Sequence, residues 1–256
     1  MKRVRVATIS YINSIPFVYG LTHSENSLSA DLLLHTPSRC VQAFIDDECD
    51  IAIVPVGALD TLGKYKIVSS YCISSSYDVH TVALMSNSPI EDIKKIYVDS
   101  DSRTSAKLIK ILARDYWHIT PEYEEINGNG LNPDNYPRET GFMLIGDKVF
   151  EAEKYFTYFY DLVSAWNKMT ALPFVFAVWV AKESVSETVI NALNNSLEFG
   201  LKSIDQAIAE HVKGITHNAA KEYLTKNIEY TLTQDKRRAI ELFLSSSDSA
   251  EPSSYI

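Results

Sequence analysis

With 256 residues, 46% hydrophobic and 22% charged, the chain has the balance of a globular protein and is long enough for one large domain or two small lobes. No apolar run approaches the ~20 residues of a membrane span, and the start MKRVRVATISYINSIPF lacks the continuous apolar stretch of a signal peptide. A net charge of -9, from 33 acidic and 24 basic residues, argues against a general nucleic-acid binder but allows a locally positive cleft for a small anion.

In chain order, Val4–Ile9 is a β-branched run that predicts a strand. The segment from Asn13 has helix-start chemistry, with Asn13 or Ser14 as N-cap and Pro16 in the first turn. Leu32–His35 predicts the next strand, and Pro37-Ser38 opens a helix through Phe44. Ile51–Val56 is a continuous apolar strand of the kind buried on both faces of a parallel sheet. Strand and helix repeating in units this short imply right-handed βαβ crossovers.

Two further strands, Tyr65–Ile73 and Val79–Met85, lead into a second series. It comprises a strand at Ile96–Asp99, a helix over Thr104–Tyr116, a loop at Asn127–Arg138, a strand at Gly141–Ile145 and a short helix around Trp166. Phe174–Ala181 is the most β-prone segment of the chain. From Ser184 the pattern turns helical, with helices expected at Val189–Leu201, Ile204–Val212, Ala219–Lys226 and Lys236–Leu244, then a frayed tail from Ser245. Two α/β series and a helical ending fit two lobes around a cleft: residues 1–85 with 175–256, and residues 86–174. A single doubly wound sheet fits the same composition. Cys40, Cys49 and Cys72 are too few and scattered for a disulfide framework, and read as small buried hydrophobes of a reducing compartment.

Open α/β sheets bind ligands beyond the carboxyl ends of their strands, so the segments that follow strands are the candidate sites. Ser10 to Pro16 either forms a plain strand-to-helix turn capped by Asn13, or aims backbone N–H groups and the Asn13 amide at an anion or hydroxyl. Ser102-Arg103-Thr104-Ser105 opens the second series' helix. Hydroxyls, a guanidinium and a helix N-terminus suit a carboxylate there, but also suit capping, with Arg103 solvated or paired to Asp99 or Asp101. Gly146-Asp147 allows close backbone approach, with Asp147 as orienter or N-cap; Pro37-Ser38-Arg39 repeats the theme, with Arg39 a second anion contact or a solvated helix arginine. His80 beside Thr81 is a cleft residue or a structural strand histidine. The aromatic run Tyr155–Tyr160 reads as core rather than a stacking platform, since few basic residues interleave it. Nucleotide-binding glycine loops, metalloprotease and hydrolase motifs, and metal-ligand spacing among the six histidines are absent.

At these segments the chain resembles the menaquinone-biosynthesis chorismate dehydratases of the futalosine route. The matching stretches are Ser10–Gly20 (SYINSIPFVYG), Pro37-Ser38-Arg39, Asp50–Pro55 (DIAIVP), Ser102–Ser105 (SRTS), Leu144–Asp147 (LIGD) and Leu172–Trp179 (LPFVFAVW). The resemblance implies an α/β, two-lobed periplasmic-binding-protein-like type II (flytrap) fold with a helical C-terminal region. It implies a cytoplasmic lyase that closes on chorismate and eliminates water to give 3-[(1-carboxyvinyl)oxy]benzoate. No metal or organic cofactor, nucleic acid or membrane is implied, and oligomeric state is left open. By matched position, Asn13 and Thr81 are the catalytic groups, and Ser10, Ser38, Arg39, Pro55, Ser102, Arg103, Thr104, Ser105, Gly146 and Asp147 bind substrate. Thr81 stands where the family usually has serine, and Ser76-Tyr77-Asp78 departs from a common Gly-Pro. The alternatives are a non-catalytic small-anion binding protein and the dihydroxynaphthoate synthase of the same pathway.

Overall fold

The computed structural model describes residues 3–24, 28–100 and 102–248, apart from the side chains of Asp147 and Asp248. The chain opens with β1 (Val4–Ile9), α1 (Ile15–His23), β2 (Ala30–His35), α2 (Pro37–Ile45), β3 (Ile51–Pro55) and β4 (Lys66–Ser75). Then come β5 (Val82–Ser86), β6 (Lys95–Asp99), α3 (Arg103–Asp115), β7 (Glu122–Ile126), β8 (Thr140–Ile145), α4 (Asp147–Ala152), β9 (Tyr158–Asp161) and α5 (Leu162–Thr170). It continues with β10 (Phe174–Ala181), α6 (Glu187–Lys202), α7 (Ile204–His211), α8 (His217–Glu222), β11 (Glu229–Thr231) and α9 (Gln234–Asp248). The expected fraying at Ser245 is corrected: α9 runs on to Asp248, and the later tail lies outside the described residues.

These elements form two compact units, Met1–Ser74 with Val175–Gln234, and Ser75–Phe174 with Asp235–Ile256. The first unit holds a six-stranded sheet in the order β11-β4-β10-β3-β1-β2. β1 pairs in parallel with β2 and β3, as short βαβ units require, while β10 runs antiparallel to β3. Ile51, Ala52, Ile53 and Val54 are all 0% exposed, which is why that run carries no polar alternation. Over this sheet α1 crosses α6 at two glycines. A Cβ on Gly20 would lie 2.0 Å from the Ser196 carbonyl oxygen, and one on Gly200 would lie 1.8 Å from that of Pro16. Bare backbone alone permits that approach.

The second unit holds a five-stranded sheet in the order β7-β6-β8-β5-β9, parallel across β7, β6 and β8 and antiparallel across β8, β5 and β9. The broad apolar face of α3 is buried, with Leu108, Ile109, Ile111 and Leu112 at 0% exposure. Two elements assigned to the first lobe from the sequence belong to this unit. β5 is hydrogen-bonded on both sides by β8 and β9, and Phe243 of α9 packs edge-on against Trp166 and Phe174 at 6.1 and 5.5 Å. The Tyr155–Tyr160 run is core only in part: Phe156 packs against Phe142 at 5.5 Å, while the rest supplies edge strand β9 and leaves Tyr155 and Phe159 exposed.

All three cysteines are free and buried. Burial pushes the Cys40 thiol up to about 12 and the Cys49 thiol to about 11. Since the thiolate is the reactive species, Ellman's reagent at about pH 8 is expected to modify none of the three in the native protein and all of them after denaturation. Prompt labelling of the native chain would contradict this packing.

Candidate functional site

In the first unit, the parallel strands deliver Ser10, the Pro37-Ser38 corner and Pro55 to one edge of the sheet, beyond the ends of β1, β2 and β3. The Ser10 N–H donates to the His35 carbonyl at 2.9 Å and ties two of these ends together. Neither α1 nor α2 has a side-chain cap, although each carries proline in its first turn. In α1 the Ile15 N–H already donates to the Ile12 carbonyl and Pro16 has none, so of the two helices it is α2 whose first turn, at Ser38 and Arg39, can offer N–H groups to a ligand at this edge.

Of the two residues expected to cap α1, Asn13 or Ser14, it is Ser14 that holds the N-cap position, without a side-chain cap hydrogen bond. A 3-10 turn, Ile12–Ser14, intervenes before the helix, so the Asn13 side chain lies within a turn rather than at a helix start. Its Oδ1 accepts only a long bond, 3.4 Å, from the Ser14 hydroxyl, and its Nδ2 donates to no acceptor among the described residues. The Asn13 carbonyl is held from behind by the Tyr230 hydroxyl, which donates at 3.0 Å. Tyr230 comes from β11 and is buried edge-on against Phe17 at 5.2 Å. Burial raises its phenol well above the usual value, which keeps it a donor. Ser38 is exposed, with its hydroxyl 3.4 Å from that of Thr36. Arg39 lies on α2 in an exposed ion pair with Glu48, which agrees with the solvated helix arginine of the two expected roles.

In the second unit, β6 and β8 are parallel and β5 opposes β8, with Val82 across from Ile145. That register brings Thr81, just before β5, to the same edge as Gly146 after β8 and Ser102 after β6. The Gly146 N–H donates to the Thr81 carbonyl at 2.8 Å, and Gly146 adopts φ 64°, a conformation that favours glycine. Thr81 is half-buried, and its hydroxyl makes no hydrogen bond to protein among the described residues. Ser102 caps α3, accepting from the Ser105 N–H at 3.1 Å and donating to the Ser105 hydroxyl at 2.8 Å. Thr104 and Ser105 are buried, which leaves Arg103 as the exposed member of this segment, without an ion pair among the described residues. Asp147 begins α4, but its side chain, like Asp101, lies outside the described residues.

Asp99 does not pair with Arg103. Its buried carboxylate accepts from Lys148 Nζ at 2.8 and 3.1 Å and from the Ile145 N–H at 3.3 Å, binding the ends of β6 and β8 together. Beside Thr81, His80 has φ 60° and an imidazole Nε2 2.6 Å from Glu153 Oε2, with ring stacking on Phe150 and Phe159. Sequence reasoning gave no role to Lys148, Tyr230 or Asp161. The first two are linked to their partners over 49 and 217 residues, and no local pattern announces them. Among the described residues no group of three or more His, Cys, Asp or Glu side chains is arranged for a metal ion, and no helix is long and apolar enough to cross a membrane.

These strand-end loops, each hung on its own mixed sheet, have the architecture of ligand-binding α/β proteins. The chain is similar to a crystal structure of a protein from Archaeoglobus fulgidus, with a TM-score of 0.76 at 17% identity, covering 96% of this chain and 97% of that one. It is also similar to a Candida albicans protein described as exhibiting the generic periplasmic binding protein structural fold. There the TM-score is 0.62 at 14% identity, over 98% of this chain and 94% of that one. The fold is thus the α/β periplasmic-binding-protein fold, here with a helical C-terminal region. The family described as menaquinone biosynthesis matches residues 4–248, and the chain belongs to that family. A curated relative, the chorismate dehydratase of Thermus thermophilus, is 23% identical over 261 residues, which cover 89% of this chain and 94% of the relative.

Proposed function

We propose that the protein is a cytoplasmic chorismate dehydratase, a carbon–oxygen lyase that converts chorismate to 3-[(1-carboxyvinyl)oxy]benzoate and water, an early step of the futalosine route to menaquinone. One observation carries this reading: the curated relative that spans nearly the same length is itself a chorismate dehydratase. The chemistry of the two sheet edges agrees with it. The reaction breaks the bond to hydrogen at ring carbon 3 and the bond to hydroxyl at ring carbon 4, and the new double bond makes the ring aromatic. The driving force therefore lies in the substrate. The protein has to seat two carboxylates, exclude water and receive the departing oxygen.

In this reading Arg103 and the N-terminus of α3, set by Ser102, Thr104 and Ser105, take a carboxylate. Ser10, Ser38, Pro55, Gly146 and Asp147 line the substrate, and Arg39 serves it on release from Glu48. The Asn13 amide and the Thr81 hydroxyl donate to the leaving oxygen. The proton acceptor is the substrate's own enolpyruvyl carboxylate, which takes the proton from carbon 3 and returns it to the departing hydroxide as water. Three described acids near the second unit's edge are engaged, which supports this: Asp99 with Lys148, Asp161 with backbone N–H groups, and Glu153 with His80. Free buried cysteines accord with a reducing compartment.

Incubation with chorismate tests the reading. Loss of the cyclohexadiene absorbance, with an aromatic product lighter by one water, is the expected result. Tight binding with no conversion would favour a small-anion receptor, and conversion of a different pathway intermediate would favour the dihydroxynaphthoate synthase. A finer expectation concerns Tyr230→Phe, which removes only the hydroxyl behind Asn13. Steady-state kcat should fall about three- to tenfold, the scale of one hydrogen bond, with KM little changed. An unaltered kcat would make that bond irrelevant to turnover.

A further inference from the structure

We propose that Asp161 is a positioning residue that fixes the backbone carrying the Thr81 hydroxyl. The inference rests on the chorismate dehydratase reading, but it concerns a residue outside every segment that pointed to that reading. Asp161 ends β9 directly opposite Ala83 of β5. One carboxylate oxygen, Oδ2, accepts from the Val79 N–H at 3.0 Å and the His80 N–H at 2.8 Å. The other, Oδ1, accepts from the Ser164 N–H at 2.9 Å and caps α5. A single side chain thus joins the loop before β5 to the helix after β9.

What this grip accomplishes follows from the backbone of the loop. His80 sits at φ 60°, a left-handed conformation that a non-glycine residue keeps only where its surroundings impose it. Two successive N–H groups converging on one oxygen impose it here. On the other side of Thr81, its carbonyl is fixed by the Gly146 N–H. Thr81 is therefore clamped at both ends of its own peptide neighbourhood, and its hydroxyl direction is set before any ligand arrives. The imidazole of His80 is turned to its own partners, Glu153, Phe150 and Phe159. Burial raises the Asp161 carboxyl, opposed by the Ser164 and His80 N–H groups, while Asp78 adds a like charge that raises it further. Asparagine keeps the shape but has one acceptor oxygen, so it serves either the loop or the helix cap.

A double-mutant cycle with Asp161→Asn and Thr81→Val, run on the full chain with chorismate, tests the inference. Asp161→Asn should lower kcat by about tenfold with KM within about twofold, the signature of a misaimed group rather than a lost binding contact. In the Thr81→Val background, where no hydroxyl remains to be aimed, it should cost nothing further. Multiplied losses in the double variant would overturn the inference, because a merely structural role slows both backgrounds alike. Amide hydrogen exchange on the wild-type protein needs no variant to fold: Val79 and His80 should be protected although they lie in a loop. Exchange at open-loop rates would overturn the clamp. A wild-type protein that leaves chorismate unchanged would instead sink the dehydratase reading, and the exchange result would still stand or fall by itself.

Discussion

Replacing Asn13 with alanine is expected to reduce chorismate turnover by about 10²–10³-fold, the cost of removing one preorganised donor to a developing oxyanion. Affinity should change far less, because the carboxylate seats proposed above are other residues, Arg103 foremost. The reason lies in how the chain leaves this amide. A 3-10 turn keeps it out of the helix cap, the Tyr230 hydroxyl pins its carbonyl, and its Nδ2 reaches no protein acceptor among the described residues. A donor that is fixed but unused costs no reorganisation when the hydroxyl departs. Steady-state kinetics beside calorimetric titration separates the two quantities. Equal losses in kcat and affinity would make Asn13 a binding residue instead.

Lys148→Met carries the largest expected loss of stability. Asp99 is fully buried at the end of β6, and the substitution takes away the ammonium that balances it. Breaking one side of a buried ion pair costs about 3–5 kcal/mol, so the thermal midpoint of the second unit should drop on the order of 10 °C. Removing both charges, with Asp99→Asn added, should recover part of that loss, since the penalty is chiefly the stranded carboxylate. The pair also holds the end of β6 to the end of β8, which carry Arg103 and Gly146. A rise in KM for chorismate should therefore accompany the stability loss. A single variant as stable as wild type, by thermal unfolding followed with circular dichroism, would mean that Asp99 has been satisfied without its lysine.

Central strands were legible because burial on both faces leaves a continuous apolar run. Ile51–Pro55 and Phe174–Ala181 are found where their composition put them. The strands without a sequence signal are all at sheet edges: β7 and β9 flank the second sheet, and β11 ends the first. An edge strand has one neighbour and much solvent, so β7 can read Glu-Tyr-Glu-Glu-Ile and still pair along its whole length with β6. Three residues of β11 are too few for any periodicity. The same divide runs through the site. Ser102, Gly146 and Asn13 stood out because turn and cap chemistry is local. The choice of Lys148 rather than Arg103 for Asp99, of Glu48 for Arg39, and of Tyr230 behind Asn13 depends on strand order and register, which no local window contains. The lobe boundary erred for a related reason. β5 follows β4 in the chain but pairs only with strands of the second sheet, and α9 is tied to that unit by long-range contacts, the Phe243 ring and the Arg114 guanidinium that donates to the Ser246 carbonyl.

The central claim is that this chain alone strips water from chorismate with neutral donors and an arginine. Chorismate carrying deuterium at ring carbon 3, mixed with an equal concentration of purified protein, puts that claim to the most direct test. Loss of the label to solvent, a primary isotope effect on the decay of the diene and a ring product that keeps its enolpyruvyl ether are the expected outcome. Recovery of intact chorismate with its deuterium in place would contradict the account.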